Sequence, residues 1–169
     1  MVHRRRQRNG DAGIGDTICL MRKYVRDYKS NLQVQALVAK FKRSTNWETA
    51  KALHDFVVDN IRYESDPPDK ELVKSVKHTI FGNMKYGDCD DLSVALATLL
   101  EACGIETKFR TVAWRPGKNA FSHVYVMAYI SEAKGWVAFD PTMGKQGKSK
   151  EVKYNRERTW NDSRTFWIR

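Results

Sequence analysis

Apolar residues recur at helical spacing through most of the first hundred positions of the chain. Leu53, Val57 and Ile61, for example, follow one another at steps of four and form one apolar stripe on a helix. A second stripe lies at residues 92–103, behind an Asp88 that can act as the N-cap residue. The predicted helices cover about residues 17–43, 47–63, 68–80 and 89–103.

The spacing of apolar residues changes from the helical period to alternation after Gly104. A glycine suits this position, because the residue that follows a helix often needs a positive φ. Alternation then predicts strands at about residues 108–114, 122–130 and 135–139, separated by short turns. Since consecutive strands with short connections pair antiparallel, we expect an α+β fold in which N-terminal helices pack on an antiparallel sheet.

The net charge of +10 lies entirely at the two ends of the chain. Residues 1–29 carry eight Lys and Arg against three acidic residues, and residues 143–169 carry the same numbers, whereas residues 30–142 carry fourteen of each sign. This distribution predicts a neutral core at 30–142 between a basic N-terminal arm, which includes the start of the first helix, and a basic C-terminal extension. We expect residues 1–16 to lack a core of their own, and both ends to extend from the body, although the aromatic Trp160 indicates a docked segment.

Composition excludes several classes of protein. No window approaches the roughly 18–20 consecutive apolar residues of a membrane span, and no apolar segment follows the basic start MVHRRRQRNGD to make a secretory signal. Three cysteines, an odd and small number, predict no disulfide framework and a reducing compartment at synthesis, so we expect a cytoplasmic location. Aromatic residues make up 11% of the chain, which argues against disorder throughout.

Three residues in the second half of the chain have the chemistry and the order of a catalytic triad. Cys89 follows a Gly-Asp turn at a predicted helix start, where unpaired N–H groups and the helix dipole favour a thiolate. His123 lies near the start of one predicted strand and Asp140 ends the next, so antiparallel pairing can bring them side by side. We predict Cys89 as nucleophile, His123 as base and Asp140 as the carboxylate that orients the imidazole.

Each of these residues alone also has a structural interpretation. A single cysteine near a helix end is usually a small apolar residue, as we expect for Cys103. A histidine on a strand is often half-buried without being a base, and Asp-Pro is common in turns. The order of the three residues therefore favours the triad more than any one of them does.

The other acidic residues and histidines have structural interpretations that we favour over metal binding. Asp88, Asp90 and Asp91 suit helix capping, and no EF-hand spacing follows them. His54 and His78 belong to no H-x-x-x-H or C-x-x-C pair, which argues against zinc. We expect no metal and no other cofactor, with His54 in a structural role and His78 exposed.

The segments GDCDDLSVALATLLEACGIETKFRTV, SHVYVMAYI and GWVAFDPT resemble the core of the transglutaminase-like superfamily of papain-like cysteine enzymes. The helix WETAKALHDFVVDNIRYESD is similar to the helix that precedes the cysteine in that family, so the resemblance covers about residues 45–143. It implies a papain-like fold with Cys89, His123 and Asp140 as nucleophile, base and orienting residue. Ser93 stands where many members have alanine.

The resemblance implies acyl transfer from an amide through a thioester at Cys89. The expected activity is that of a cysteine-dependent amide or peptide hydrolase acting on a protein or peptide; a transglutaminase, with an amine as acceptor, stays open, because cleft shape and water exclusion choose the acceptor. The backbone N–H of Cys89 is one donor for the oxyanion. The other donor in relatives often comes from an upstream side chain, for which Trp47, Asn83 and Tyr86 are candidates.

An alternative function is that of a structural or assembly protein that uses this fold as a scaffold. Short transglutaminase-like proteins occur among the structural genes of tailed phages, and the resemblance in organisation implies a component of a phage particle, located in the virion. The basic ends would then bind acidic protein partners. Nucleic-acid binding through Arg4–Arg8 and Lys145–Lys153 is a third interpretation, which we rank lower because the neutral core predicts no basic groove.

Overall fold

A computed structural model of the chain describes residues 2–5, 11–67, 71–113, 121–145 and 157–160. The helices in these residues are α1 (Asp11–Tyr28), α2 (Leu32–Val38), α3 (Asn46–Asn60), α4 (Val76–Thr79) and α5 (Cys89–Ala102). The strands are β1 (Val2–Arg5), β2 (Arg62–Tyr63), β3 (Glu71–Lys74), β4 (Tyr86–Gly87), β5 (Thr107–Val112), β6 (His123–Ile130), β7 (Gly135–Phe139) and β8 (Glu157–Trp160). A short 3-10 helix covers Pro141–Met143.

The main sheet has four antiparallel strands in the order β7-β6-β5-β8. Its strands β6 and β7 begin and end within one residue of the predicted positions. Two smaller pairs precede it in the chain: β1 pairs antiparallel with β3, and β2 pairs parallel with β4. The predicted α+β fold, with helices packed on an antiparallel sheet, is confirmed.

The helix α5 lies at the centre of the core. It contacts the other four helices as well as β5 and β6, and every residue of 90–100 is buried. A helix that is apolar on all sides is suited to such a position. Because α5 begins at Cys89, the packing of the core determines where that residue lies.

The predicted helix at residues 17–43 is wrong in its bounds. It is two helices, α1 and α2, and α1 begins six residues earlier than expected. The side chain of Asn31 caps α2 by accepting the N–H of Gln33 at 2.9 Å, and such local side-chain bonds compete with continuation of a helix.

Of the predicted helix at residues 68–80, the described residues 71–80 form a strand followed by one helical turn. The strand β3 pairs with β1, with Leu72 opposite Arg4, and α4 covers only Val76–Thr79. The backbone N–H of Lys74 donates to the carboxylate of Asp91 rather than to a helical carbonyl. Partners distant in sequence therefore override the local helical pattern.

Parts of both basic ends belong to the folded body. The strand β1 pairs with β3, the strand β8 pairs with β5, and the core residues Ile18, Met21 and Val25 lie on α1. The indole N–H of Trp160 donates to the hydroxyl of Thr111 at 2.9 Å, so this residue docks as predicted. The expectation that the ends extend from the body is wrong for these parts.

The rest of the basic ends, including Arg6, Arg8 and residues 146–156, lies outside the described residues. Contacts of the basic ends with partners therefore stay a prediction. Among the helices that the structure describes, none combines the length and the apolar character that crossing a membrane requires.

Candidate active site

Cys89 is the first residue of α5, and the acidic residues around it cap that helix. The Asp88 side chain accepts the N–H of Asp90 at 3.3 Å, and the Asp91 side chain accepts the N–H of Asp88 at 3.4 Å. Together they form a capping box, which satisfies amides that a helix start leaves without intrahelical partners. The predicted capping role of Asp88 and Asp91 is confirmed.

The Cys89 thiol is partly buried and surrounded by negative charge. Burial raises the pKa of Cys89 well above its ordinary value, and the carboxylates of Asp88, Asp90 and Asp140 raise it further. A hydrogen bond from the backbone of Val124 acts in the opposite direction. The net shift is therefore toward the neutral thiol, because burial and the nearby carboxylates outweigh the thiolate-favouring field expected of a helix start.

His123 and Asp140 form a direct hydrogen bond. Asp140 follows β7 and lies diagonally across the β6–β7 pair from His123, and the distance from its Oδ2 to the His123 Nε2 is 2.6 Å. An ionised carboxylate only accepts hydrogen bonds. Its bond to Nε2 therefore selects the tautomer in which His123 Nδ1 carries the lone pair.

The Asp140 side chain is itself held on both oxygens. Its Oδ1 accepts the backbone N–H of Thr142 at 3.0 Å and the hydroxyl of the same residue at 2.7 Å, while Oδ2 is bonded to His123. Asp140 caps the short 3-10 helix, with Pro141 at its start. The Asp-Pro-Thr sequence thus orients a carboxylate that is only 2% exposed.

Cys89 lies beside the strand that carries the histidine. Its thiol bonds the backbone of Val124, which directly follows His123. Ser93, one helical turn after Cys89, donates its hydroxyl to the Val124 carbonyl at 3.3 Å. Two residues on one face of α5 thus bond the backbone of the same β6 residue, Val124. Ser93 therefore has a structural role that the sequence did not reveal.

A buried lysine next to α5 is the clearest feature that sequence reasoning missed. Lys74 is 2% exposed and its ammonium bonds the carboxylate of Asp91, which is 0% exposed. The nearest oxygen of Asp66 lies 3.6 Å from the ammonium. In the sequence Lys74 stands in a segment with a helical pattern and carries no signal of burial.

The candidates for the second oxyanion donor lie on different elements. Trp47 is the second residue of α3 and packs its ring 5.8 Å from that of Phe139, the residue before Asp140. Tyr86 lies in β4, with the Lys74 ammonium 5.8 Å from its ring centre, and Asn83 is exposed. The identity of the second donor stays a prediction.

His54 and His78 have structural surroundings. His54 is buried, with its ring 6.0 Å from that of Phe139. His78, which we expected to be exposed, is partly buried, and its Nδ1 lies 3.1 Å from the Ser75 hydroxyl.

Asp88, Asp90 and Asp91 are the groups closest to a metal-binding arrangement in the described part of the chain. Each offers one oxygen within 4.8 Å of the others. The Asp88 carboxylate already caps the helix. The Asp91 carboxylate both takes part in the capping box and bonds the Lys74 ammonium.

Comparisons with known proteins agree with the fold. A model of the transglutaminase-like superfamily matches residues 35–141. A "putative protease" from Parabacteroides distasonis ATCC 8503 has a similar structure, with a TM-score of 0.55 and 14% identity over 73% of this chain and 26% of that one. A "putative cysteine protease" from Cytophaga hutchinsonii is similar with a TM-score of 0.53 and 19% identity over 99% of this chain and 66% of that one.

The chain therefore spans about a quarter of the first structure and about two thirds of the second. At these identities the likeness concerns the fold. No curated protein matches the chain at a significant level.

Proposed function

Because the chain belongs to the transglutaminase-like superfamily, we propose that it is a cysteine-dependent hydrolase of amide or peptide bonds with Cys89 as nucleophile, His123 as base and Asp140 as orienting residue. The observation that carries the proposal is the 2.6 Å bond between His123 and Asp140, on a strand whose next residue bonds the Cys89 thiol. A family fold, an oriented imidazole and an adjacent thiol are the parts that thioester chemistry needs.

The electrostatics of the site favour one form of this mechanism. Since burial and the nearby carboxylates raise the pKa of Cys89, the thiol rests in its neutral form. His123 Nδ1 removes the proton as the sulfur attacks the carbonyl carbon, and it returns that proton to the amine when the C–N bond breaks. Water then hydrolyses the thioester, with His123 again as base.

The remaining roles follow from the start of α5. The backbone N–H of Cys89 belongs to the first turn of the helix, where amides have no intrahelical acceptor. It can donate to the oxyanion of the tetrahedral intermediate, in the field of the helix dipole. Protein or peptide substrates fit the proposal, with water as acceptor rather than an amine.

The test compares Cys89 with Cys103, which is also partly buried and has a raised pKa. Folded protein is treated with iodoacetamide near neutral pH, and each cysteine peptide is followed by mass spectrometry. We expect Cys89 to be labelled before Cys103 and His123→Ala to slow the labelling of Cys89 only. Equal labelling of Cys89 and Cys103 would contradict the proposal.

Turnover is the second part of the test. Release of nitrophenol from an activated aryl ester and cleavage of unfolded casein are measured with the unaltered chain and with Cys89→Ala. We expect a burst of nitrophenol with the unaltered chain and none with the variant, because an acyl-enzyme forms only on the thiol. Turnover that survives in Cys89→Ala would rule out the thioester route.

One observation favours a second candidate function, that of an assembly protein. The surroundings of Cys89 disfavour its reactive form, as a scaffold that never uses the thiol would allow. We propose as this alternative that the basic ends bind acidic protein partners, for example in a phage particle. Self-association that weakens with added salt, together with an unreactive Cys89, would support it, whereas a chain that stays monomeric at low salt would count against it.

A further inference from the structure

We infer that Lys74 is a positioning residue for Cys89 and acts through Asp91, an inference that rests on the proposed function. Lys74 ends β3, and Asp91 is the third residue of α5. The Lys74 ammonium bonds one oxygen of the Asp91 carboxylate, and the Lys74 backbone N–H donates to the other oxygen at 2.6 Å. One lysine therefore holds both oxygens of a carboxylate two residues after the nucleophile.

Asp91 in turn holds the segment that leads to Cys89. Its Oδ2 accepts the backbone N–H of Asp88 at 3.4 Å. A Cβ added to Gly87 would lie 2.5 Å from both the Oδ2 and the Cβ of Asp91, so only glycine lets the backbone approach this closely. The position of the Cys89 sulfur and of its N–H therefore depends on where the Asp91 carboxylate is held.

The charge on Lys74 is what keeps this arrangement in place. Burial lowers the pKa of Lys74, but the carboxylates of Asp91 and Asp66 outweigh it, and the net pKa is raised. The lysine thus stays protonated, and a buried ammonium is tolerated only when it is paired.

Removal of the Lys74 charge is expected to make the site sensitive to pH. Burial and Asp88 raise the pKa of Asp91, and Lys74 lowers it. Without the lysine, Asp91 takes up a proton at a higher pH, and a protonated carboxyl is a weaker acceptor for the N–H of Asp88. The titratable groups around this pair are Asp88 at the N-cap of α5, Asp66 before β3, Tyr86 on β4 and Tyr24 on α1. Those around the thiol are Asp88, Asp90 and Asp140, and His123 is bonded to Asp140.

The test measures iodoacetamide labelling of each cysteine in the full chain. In Lys74→Met we expect Cys89 to be labelled about tenfold more slowly at neutral pH, since a shift of a reacting atom by about 1 Å costs up to about a hundredfold. The loss should be greater at about pH 8 than at about pH 6. The pKa of Asp91 is already raised to about 7 in the unaltered chain, so at the lower pH its carboxyl is protonated with or without Lys74, whereas at the higher pH only the variant keeps it protonated. Labelling of Cys103 should not change.

A matched control removes a second buried cation that is also paired with a carboxylate of α5. Arg22 is 5% exposed and donates to Glu101, near the other end of α5, at 3.0 Å. We expect Arg22→Met to destabilise the fold while the labelling rate of Cys89 stays within about twofold. Equal slowing of Cys89 in Arg22→Met, or an unchanged rate in Lys74→Met, would overturn the inference.

A double variant covers the case in which Lys74→Met does not fold. Lys74→Met with Asp91→Asn buries no charge at this pair, so we expect it to fold. An amide has one accepting oxygen and cannot hold both backbone N–H groups, so labelling of Cys89 should be several-fold slower than in the unaltered chain, with no added dependence on pH. Labelling at the unaltered rate in the double variant would refute the inference.

The outcome also separates this inference from the proposed function. If Cys89 of the unaltered chain is labelled no faster than Cys103, the proposed function fails and the inference fails with it. If labelling of Cys89 is fast and depends on His123 but ignores Lys74, the inference alone is wrong.

Discussion

Each end of α5 carries a buried ion pair, and the two pairs stabilise different parts of the structure. At the N-terminal end, Lys74 and Asp91 hold the short segment that precedes the nucleophile of the proposed triad. At the C-terminal end, Arg22 bonds Glu101 at 3.0 Å and the hydroxyl of Thr107 at 3.1 Å, so that pair joins α1, α5 and the start of β5. The same kind of interaction thus supports the site at one end and the assembly of the fold at the other.

The two cysteines at these ends differ in the residues around them. Burial raises the pKa of both Cys89 and Cys103. Only Cys89 bonds the strand that carries an oriented imidazole, and its neighbouring carboxylates disfavour the thiolate. Under the proposed function, we therefore expect the reactivity of Cys89 to depend on proton removal by His123 rather than on a thiolate at rest.

The largest effect is expected from the carboxylate that orients His123, compared with Glu101 at the C-terminal end of α5. Asp140→Asn should lower turnover by about 10³–10⁴-fold, because an amide next to the imidazole favours the wrong tautomer while the shape of the cleft stays. Glu101→Gln should leave turnover near its original value and lower the free energy of unfolding. Turnover on the aryl ester and urea unfolding measure the two effects; a Glu101→Gln variant that loses turnover equally would remove the distinction.

A smaller difference is expected from the glycines that flank the helix. Gly87→Ala places a Cβ 2.5 Å from the Asp91 carboxylate, so we expect a loss of about 1–3 kcal/mol in the free energy of unfolding together with slow labelling of Cys89. Gly104 has φ +82° and open space around it, so Gly104→Ala should cost about 1–2 kcal/mol of backbone strain and leave that labelling unchanged. Urea unfolding and the labelling assay together check both variants.

The pH dependence of labelling should distinguish the two thiols in His123→Ala. Without the base, the rate follows the thiolate fraction, which rises about tenfold for each pH unit below the pKa. Since the pKa of Cys89 is raised well above its ordinary value, its labelling should still increase at a pH where that of Cys103 has levelled off. A plateau for Cys89 at neutral pH would instead indicate a thiolate at rest.

The smallest effect is expected from two buried hydroxyls of α5. Ser93→Ala removes the 3.3 Å bond to the Val124 carbonyl and should slow labelling of Cys89 only a few-fold, with a loss of about 1 kcal/mol in the free energy of unfolding. Thr98 bonds the carbonyl of Val94 within its own helix at 2.7 Å, so Thr98→Ala should alter stability alone. Slower labelling in Thr98→Ala would show that any weakening of α5 affects Cys89.

Local pattern was sufficient to predict the elements that depend mainly on local residues. The helix from Cys89 was predicted within one residue, since it has a capping aspartate, a continuous apolar sequence and Gly104 at its end. The strand alternation of β6 and β7 placed His123 and Asp140 on neighbouring antiparallel strands, and their hydrogen bond confirms that neighbourhood. Their catalytic roles, with that of Cys89, stay a prediction.

Prediction failed where a distant partner decides the conformation. Residues 71–74 have a helical pattern but form β3, because β1 and the Asp91 carboxylate supply their backbone partners. The strand β8 is added to β5 from the far end of the chain, where the sequence predicted a basic extension with a docked segment at Trp160 but no strand.

By itself, the sequence of this protein determined the α+β fold, the helix that begins at Cys89 and the order of the three candidate residues, because helical period, alternation and capping are properties of neighbouring positions. Only the tertiary structure decided how far the candidate site is buried and which residues support it. The raised pKa of Cys89 results first from burial, then from the adjacent Asp88 and Asp90, with a smaller contribution from the distant Asp140, and the ion pair of Lys74 with Asp91 joins elements that have no local relation. The physical reason is that burial and ion pairing depend on where the whole chain brings its residues, which no single segment encodes.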